Sequence, residues 1–163
     1  MTETRASVDR DTRDAIGDLF VDYAYFLDHE QFDDWLALFV ESSTYKAIPR
    51  ENVAQNLPAT LILCENKAMI RDRLVALQQA NEYNIHTARH MVSNLRILAA
   101  TPEGYRVTAN YAVFQTDQDG RTRLFSVGTY EDRIVRVDGE LKFQDKVAVI
   151  DTASVPTLLA VPL

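Results

Sequence analysis

The sequence predicts an α+β fold with its helices first and its strands last. Three observations carry this. Apolar residues recur at helical spacing in three segments between residues 13 and 80. From Met91 onward the repeat changes to two, as strands require. Asp138-Gly139 then sits between two alternating segments, the two-residue signature of a tight hairpin.

The first helix is expected from about Arg13 to Leu27, where Ile16, Leu19, Phe20, Tyr23 and Leu27 form one apolar stripe. Asp11 is its expected N-cap, and Asp14 in the first turn suits the helix dipole. A short second helix places Phe32, Trp35, Leu36 and Phe39 at i, i+3, i+4 and i+7. The third is expected to begin after Asn66, as N-cap, and to run to about Ala80. It would bury Ile70, Leu74 and Leu77 and leave Lys67, Arg71, Asp72 and Arg73 to solvent. Between the second and third helices, Ser43 to Pro49 reads as a short strand. The stretch Arg50 to Glu65, with Asn56 and Pro58, shows no clear period, and an irregular segment of that length points to a contact surface.

In the β region, Tyr105, Val107, Ala109, Tyr111 and Val113 alternate with Arg106, Thr108, Asn110 and Ala112. Gln118-Asp119-Gly120 makes a turn, and a long strand is expected from about Thr122 to Val137. The return strand alternates Leu141, Phe143, Asp145, Val147 and Val149. Four antiparallel strands preceded by amphipathic helices describe an α+β domain.

The 163 residues, 47% apolar and 25% charged, fit one domain spanning 1–163. A formal net charge of −7 argues against a nucleic-acid or anionic-membrane partner, because phosphate binding needs clustered Lys and Arg. No apolar run approaches the ~20 residues of a membrane span, and no signal-peptide core opens the sequence. A cytoplasmic protein is expected. Cys64, the single cysteine, leaves no material for an internal disulfide, a Cys-built zinc site or a protein-held iron–sulfur cluster.

Candidate chemistry is sparse. His86 and His90 have the i, i+4 spacing that binds metal on a helix, but their surroundings read as a loop running into a strand, so no metal site is expected. His90 is better read as a hydrogen-bonded core or interface residue. The adjacent carboxylates Asp33-Asp34 and Glu131-Asp132, and Asp28 near Glu30, read as surface or capping groups. No GxSxG elbow, P-loop or GxGxxG follows a strand. Tyr23, Tyr25, Phe26, Phe32 and Trp35 cluster at helical spacing and read as core, and Cys64 as a small buried hydrophobe.

Four passages in order carry a resemblance: Glu65 to Arg73, Arg89-His90-Met91-Val92-Ser93-Asn94-Leu95-Arg96-Ile97, Gly128-Thr129-Tyr130-Glu131-Asp132-Arg133, and Asp138 to Lys142 with Lys146 to Asp151. Together with Trp35-Leu36-Ala37-Leu38-Phe39, they make the chain resemble the small (beta) subunit of Rieske non-haem iron aromatic-ring-hydroxylating dioxygenases. That family belongs to the nuclear transport factor 2 (NTF2-like, cystatin-like) superfamily. The resemblance implies a cone-shaped fold, with three N-terminal helices on a strongly curved antiparallel sheet. It also implies a non-catalytic subunit that stabilises a catalytic large (alpha) subunit, the partner holding the Rieske cluster, the mononuclear iron and the substrate pocket. No cofactor is expected in this chain, since one Cys and three His cannot supply both centres. An assembly of three large and three small subunits, with the small ones as a trimeric base, follows from the same likeness. The loop from Arg50 to Pro58 and the ending Leu159 to Leu163 are similar to members acting on aromatic carboxylates.

The competing class is a free-standing dehydratase or isomerase of the same cone, with His90 and either Asp28 or Tyr45 as acid–base pair. Catalytic, cofactor-binding and metal residues are otherwise expected to be absent. Trp35, Arg89, His90, Phe114, Phe125 and Tyr130 are the structural or interface candidates. Phe114 and Phe125 belong to an apolar second face of the sheet, since apolar residues fall on both alternations there. A face that helices leave uncovered marks a partner surface, and trimerisation would cover it.

Overall fold

The computed structural model of the chain describes residues 6–81, 85–151 and 162–163. Its elements run α1 (Arg10–Asp28), α2 (Phe32–Ala37), β1 (Phe39–Pro49), α3 (Arg50–Ala54), β2 (Ile62–Cys64), α4 (Lys67–Asn81), β3 (His86–Thr101), β4 (Gly104–Asp117), β5 (Thr122–Val137) and β6 (Glu140–Ile150). The strands form one curved sheet in the order β2-β1-β6-β5-β4-β3. β3 to β6 pair antiparallel in succession, as alternation predicts. β1 departs from the expected antiparallel sheet and joins β6 in parallel. A parallel neighbour needs a long crossover, which α3, α4 and the four strands β2 to β5 supply. Of the ending Leu159 to Leu163, only Pro162 and Leu163 lie within the described residues.

Local chemistry explains the boundaries. α1 begins at Arg10, and its cap is Asp9 rather than Asp11: an Asp9 carboxylate oxygen accepts the Thr12 N–H at 2.7 Å. Asn66 caps α4 as expected, accepting from the Met69 N–H at 3.0 Å. The Arg50 to Glu65 stretch is not wholly irregular. One short helix, α3, follows Pro49, and β2 pairs antiparallel with β1 at Tyr45 and Cys64. Elements of five and three residues are too short to show a period. At the last hairpin, Asp138 and Gly139 both take positive φ, 51° and 85°, as a two-residue turn between twisted strands demands.

Bulges give the sheet its curvature and also choose which side chains face inward. In β5 the extra residue is Phe125, because Val113 pairs with Ser126 while Phe114 pairs with Leu124. Phe125 therefore turns into the core, 3% exposed, rather than onto the outer face where alternation places it. In β6 the extra residue is Gln144, because Arg133 pairs with Asp145 and Ile134 with Phe143. The inward set becomes Phe143, Lys146, Ala148 and Ile150, not the run through Asp145 and Val147. These side chains meet Ile16, Leu19, Tyr23, Trp35 and Leu74 of the helices in one apolar cluster.

Lys146 is thereby driven into that cluster at 0% exposure. Its Nζ donates to Asp132 Oδ2 at 2.7 Å, and Asp132 Oδ1 accepts the Val147 N–H at 3.2 Å. Rings of Phe20, Tyr23, Tyr130 and Phe143 surround the ammonium, with the Tyr130 centroid 3.3 Å away. Burial pushes the Asp132 carboxyl up to about 6 and pulls the Lys146 ammonium down to about 8, with their mutual attraction opposing both shifts. Both stay ionised at neutral pH.

Two predictions follow from this packing. A Cβ on Gly128 would collide with the Val149 carbonyl oxygen and sit 3.1 Å from Tyr111 Cε1. Gly128→Ala should therefore cost about 3 kcal/mol in urea unfolding, and an unchanged midpoint would show that β5 and β6 can separate there. Asp132→Ala strands a buried ammonium and should cost about 3–5 kcal/mol, whereas Lys146→Met with Asp132→Asn should lie within about 1 kcal/mol of the parent or above it. Equal losses in the two variants would assign the effect to shape rather than charge.

Candidate functional site

The polar groups of the cone gather where α1 ends against β3. Asp28 is the last residue of α1, a position where a carboxylate opposes the helix dipole and needs donors from elsewhere. His90 supplies them. Its backbone N–H lies 2.9 and 3.0 Å from the two Asp28 oxygens, and its Nδ1 lies 2.6 Å from Oδ1. Arg89 adds little: its side chain is 58% exposed and its Nη1 is 3.9 Å from Asp28 Oδ2. The helix end is thus pinned to the sheet by one carboxylate.

The other face of the imidazole meets the chain itself. His90 Nε2 lies 3.2 Å from the Pro162 carbonyl oxygen. Leu163 is fully buried beside it. Its N–H donates to the Tyr45 hydroxyl at 2.7 Å, and its carbonyl accepts from Tyr45 at 3.2 Å and from the Tyr23 hydroxyl. Burial pushes the Tyr23 and Tyr45 phenols well above the usual tyrosine range, so both remain donors at any physiological pH. Tyr111, pushed up to about 12 by the same cause, bonds the Ser126 hydroxyl at 3.1 Å. Three buried groups, the Trp35 indole N–H and the Ser43 and Tyr130 hydroxyls, have no hydrogen-bond partner among the described residues. Each such orphan costs about 1–3 kcal/mol.

The structure brings Trp35 and Tyr130 together in the interior, each packed on the Tyr23 ring at 5.5 and 5.7 Å. His90 lies at the α1 end, Phe125 in the core, Phe114 half-buried on β4, and Arg89 at the surface. Sequence reasoning missed the Lys146–Asp132 pair. A signal for it exists, since Asp132 falls on the same alternation as Tyr130 and Ile134, and a charge on an inward alternation needs a partner. It also missed the capture of residues 162 and 163, for which no local pattern exists.

Among the described residues, metal chemistry finds no donor set. His86 and His90 are both on β3, where a four-residue separation is roughly 13 Å. His29 stacks on Tyr25 at the exposed end of α1, with ring centroids 4.0 Å apart. Among the described residues, no three His, Cys, Asp or Glu side chains cluster as metal ligands. A Rieske centre takes two Cys and two His, and a chain with Cys64 alone does not fit it. Acid–base chemistry fares no better in this arrangement. The expected His90–Asp28 pair is formed, but the imidazole nitrogen that would face a substrate faces the Pro162 carbonyl instead.

A second feature lies on the outside. Asn52, Val53, Leu57 and Pro58 of the α3 loop border a hollow of about 580 Å³ with Leu63, Val147 and Val149. Val53, Leu57 and Leu63 are exposed there, and Leu61, two residues before Leu63, is exposed as well. No helix among the described residues is long and apolar enough to cross a membrane.

Comparison with known proteins agrees with the cone. The chain is 38% identical to the small subunit of anthranilate 1,2-dioxygenase from Burkholderia cepacia over 141 residues, which cover 86% of this chain and 88% of that one. It superposes on the crystal structure of a Novosphingobium aromaticivorans protein, assigned as the beta subunit of an aromatic-ring-hydroxylating dioxygenase, with a TM-score of 0.86 and 36% identity. That match covers 94% of this chain and 98% of the other. A protein assigned as a scytalone dehydratase from the same organism shares the fold, with a TM-score of 0.71 at 20% identity over 92% of this chain and 91% of its own. The α+β, NTF2-like (cystatin-like) fold is thus shown. The model of the ring hydroxylating beta subunit family matches residues 23–157, and the chain belongs to that family.

Proposed function

We propose that this chain is the non-catalytic small subunit of a cytoplasmic dioxygenase that hydroxylates an aromatic carboxylate during its breakdown. In this reading the large subunit carries the Rieske cluster, the mononuclear iron and the substrate pocket. Three copies of this chain form the base on which three large subunits stand. The carrying observation is the state of the cone. Its acid–base pair is covered by the Pro162 carbonyl, and aromatic side chains with a self-paired ion pair fill its interior. The kinship with an anthranilate dioxygenase small subunit supports the substrate class.

The apolar rim of Val53, Leu57, Leu61 and Leu63 supports the assembly. A soluble chain leaves such a patch open only when something covers it, and closed symmetry covers it without leaving a free edge.

Co-expression with a catalytic large subunit of this oxygenase family tests both parts. A tag on this chain should bring down an iron-containing complex that oxidises an aromatic carboxylate, while the chain alone carries no iron and no activity. Stoichiometric iron in the isolated chain would overturn the reading. Leu57→Asp should weaken assembly roughly tenfold or more, as hot-spot residues do, with thermal stability of the isolated chain unchanged. Assembly at parental strength would move the interface to another face.

A further inference from the structure

β3 is the last strand of the sheet and, at 16 residues, presents a long edge. An open edge of that length is a template for another strand and needs cover. Two points of it are held by described residues. The Asp28 carboxylate takes the His90 N–H at 2.9 and 3.0 Å, and the Ala6 N–H donates to the Ile97 carbonyl oxygen at 3.0 Å. Between them Val92 turns its backbone N–H and carbonyl the same way as His90, away from β4, because two steps along a strand restore the orientation. Opposite this stretch, Gly17, Val21 and Ala24 of α1, with Phe20 and residues 90–95, border a hollow of about 370 Å³. Val21 is 64% exposed on its wall, and a Cβ on Gly17 would meet nothing within 4 Å. Small apolar side chains on one side and outward-facing backbone on the other make a slot for an extended chain.

We infer that residues 1–5 of this chain occupy the slot as a further strand, parallel to β3, and close its edge. The entry point is already fixed, since Ala6 is bonded at Ile97 and packed against the apolar cluster. Five extended residues reach roughly 17 Å, which is also about the length of strand between Ile97 and Val92. Running back from Ile97 toward Val92 makes the added strand parallel. Alternation suits the slot as well. Ala6 packs inward, so Thr4 and Thr2 share its side and turn toward Gly17 and Ala24, while Glu3 and Arg5 turn to solvent. Threonine also favours a pleated backbone. This inference goes beyond the subunit role and does not depend on it.

Amide hydrogen exchange on the full chain tests it. The Val92 amide should exchange roughly tenfold faster in a chain lacking residues 2–5. The His90 amide, held by Asp28, should keep its rate in both. Gly17→Leu in the full chain should speed Val92 to the same degree, because it fills the slot. That variant meets no clash and replaces a glycine inside a helix, so it should melt no lower than the parent. Thr4→Asp should also speed Val92 by placing a charge on the apolar side, and Glu3→Gln, on the solvent side, should not. Equal Val92 exchange in the full and shortened chains overturns the inference, as does a Gly17→Leu chain that protects Val92 like the parent. Protection that arises only when a large subunit is added would give the slot to that partner and overturns it too. If the shortened chain does not fold, the Gly17→Leu and Thr4→Asp variants decide: faster Val92 exchange in both supports the inference, and parental exchange in either overturns it.

Discussion

Two opposite charges, Lys146 and Asp132, sit 2.7 Å apart with no exposure of either side chain, and the aromatic layer of the cone is built around them. Neither charge could be there alone, because an isolated ion in such a place costs several kcal/mol after all relaxation. The pair therefore fixes the relative register of β5 and β6. Asp132 also takes the Val147 N–H, so a slip of one residue would strand both an ammonium and a backbone donor. Hydrophobic contacts between the same strands tolerate small shifts. The ion pair and its four rings do not, which gives the interior one geometry rather than several near-equivalent ones.

Much of this architecture is legible in the residues. The stripes of Ile16, Leu19, Tyr23 and Leu27, and of Ile70, Leu74 and Leu77, are the buried faces of α1 and α4. Asn66 and the Asp138-Gly139 turn do what their chemistry announces. What escapes is whatever depends on an extra residue in a strand. A bulge adds one position without changing composition, so alternation read through Gln144 or Phe125 comes out one step wrong beyond it. Phe125 then passes for a surface residue, and Lys146 for a solvated one. The parallel union of β1 with β6 escapes for another reason, since it joins segments about a hundred residues apart with no local mark. The candidate interior is legible only in its parts. His90, Asp28 and Tyr45 can be singled out by type, but their partners at 162 and 163 lie too far along the chain to be foreseen.

The His90–Asp28 contact shows how one geometry serves opposite ends. A carboxylate that orients an imidazole is the same arrangement whether the ring moves protons or holds a fold. What separates the two is the second nitrogen. Facing a cavity, it can take a proton from a substrate. Facing the Pro162 carbonyl, it completes a chain of hydrogen bonds from the end of α1, through β3, to the residues docked inside the cone. The scaffold shared with a dehydratase-like protein at 20% identity is therefore compatible with an interior given over to structure.

An interior satisfied in this way shifts the burden of function outward. The inner alternations of β4, β5 and β6 are occupied by Val113, Tyr130, Phe143 and their neighbours, all turned toward α1 and α4. α1, α2 and α4 cover that face, and α3 lies on the other. On the outside, Val147 and Val149 meet the α3 loop, and four exposed apolar residues of the segment 53–63 continue the same surface. Short elements suit this position. A five-residue helix and a three-residue strand bury little of their own, so they are free to present side chains to another chain. The edge strand β2 is too short to recruit a further strand, which favours side-chain docking over open-ended sheet extension. The stretch without periodicity is thus where this subunit has surface to spare, and the periodic remainder is what holds that surface in place.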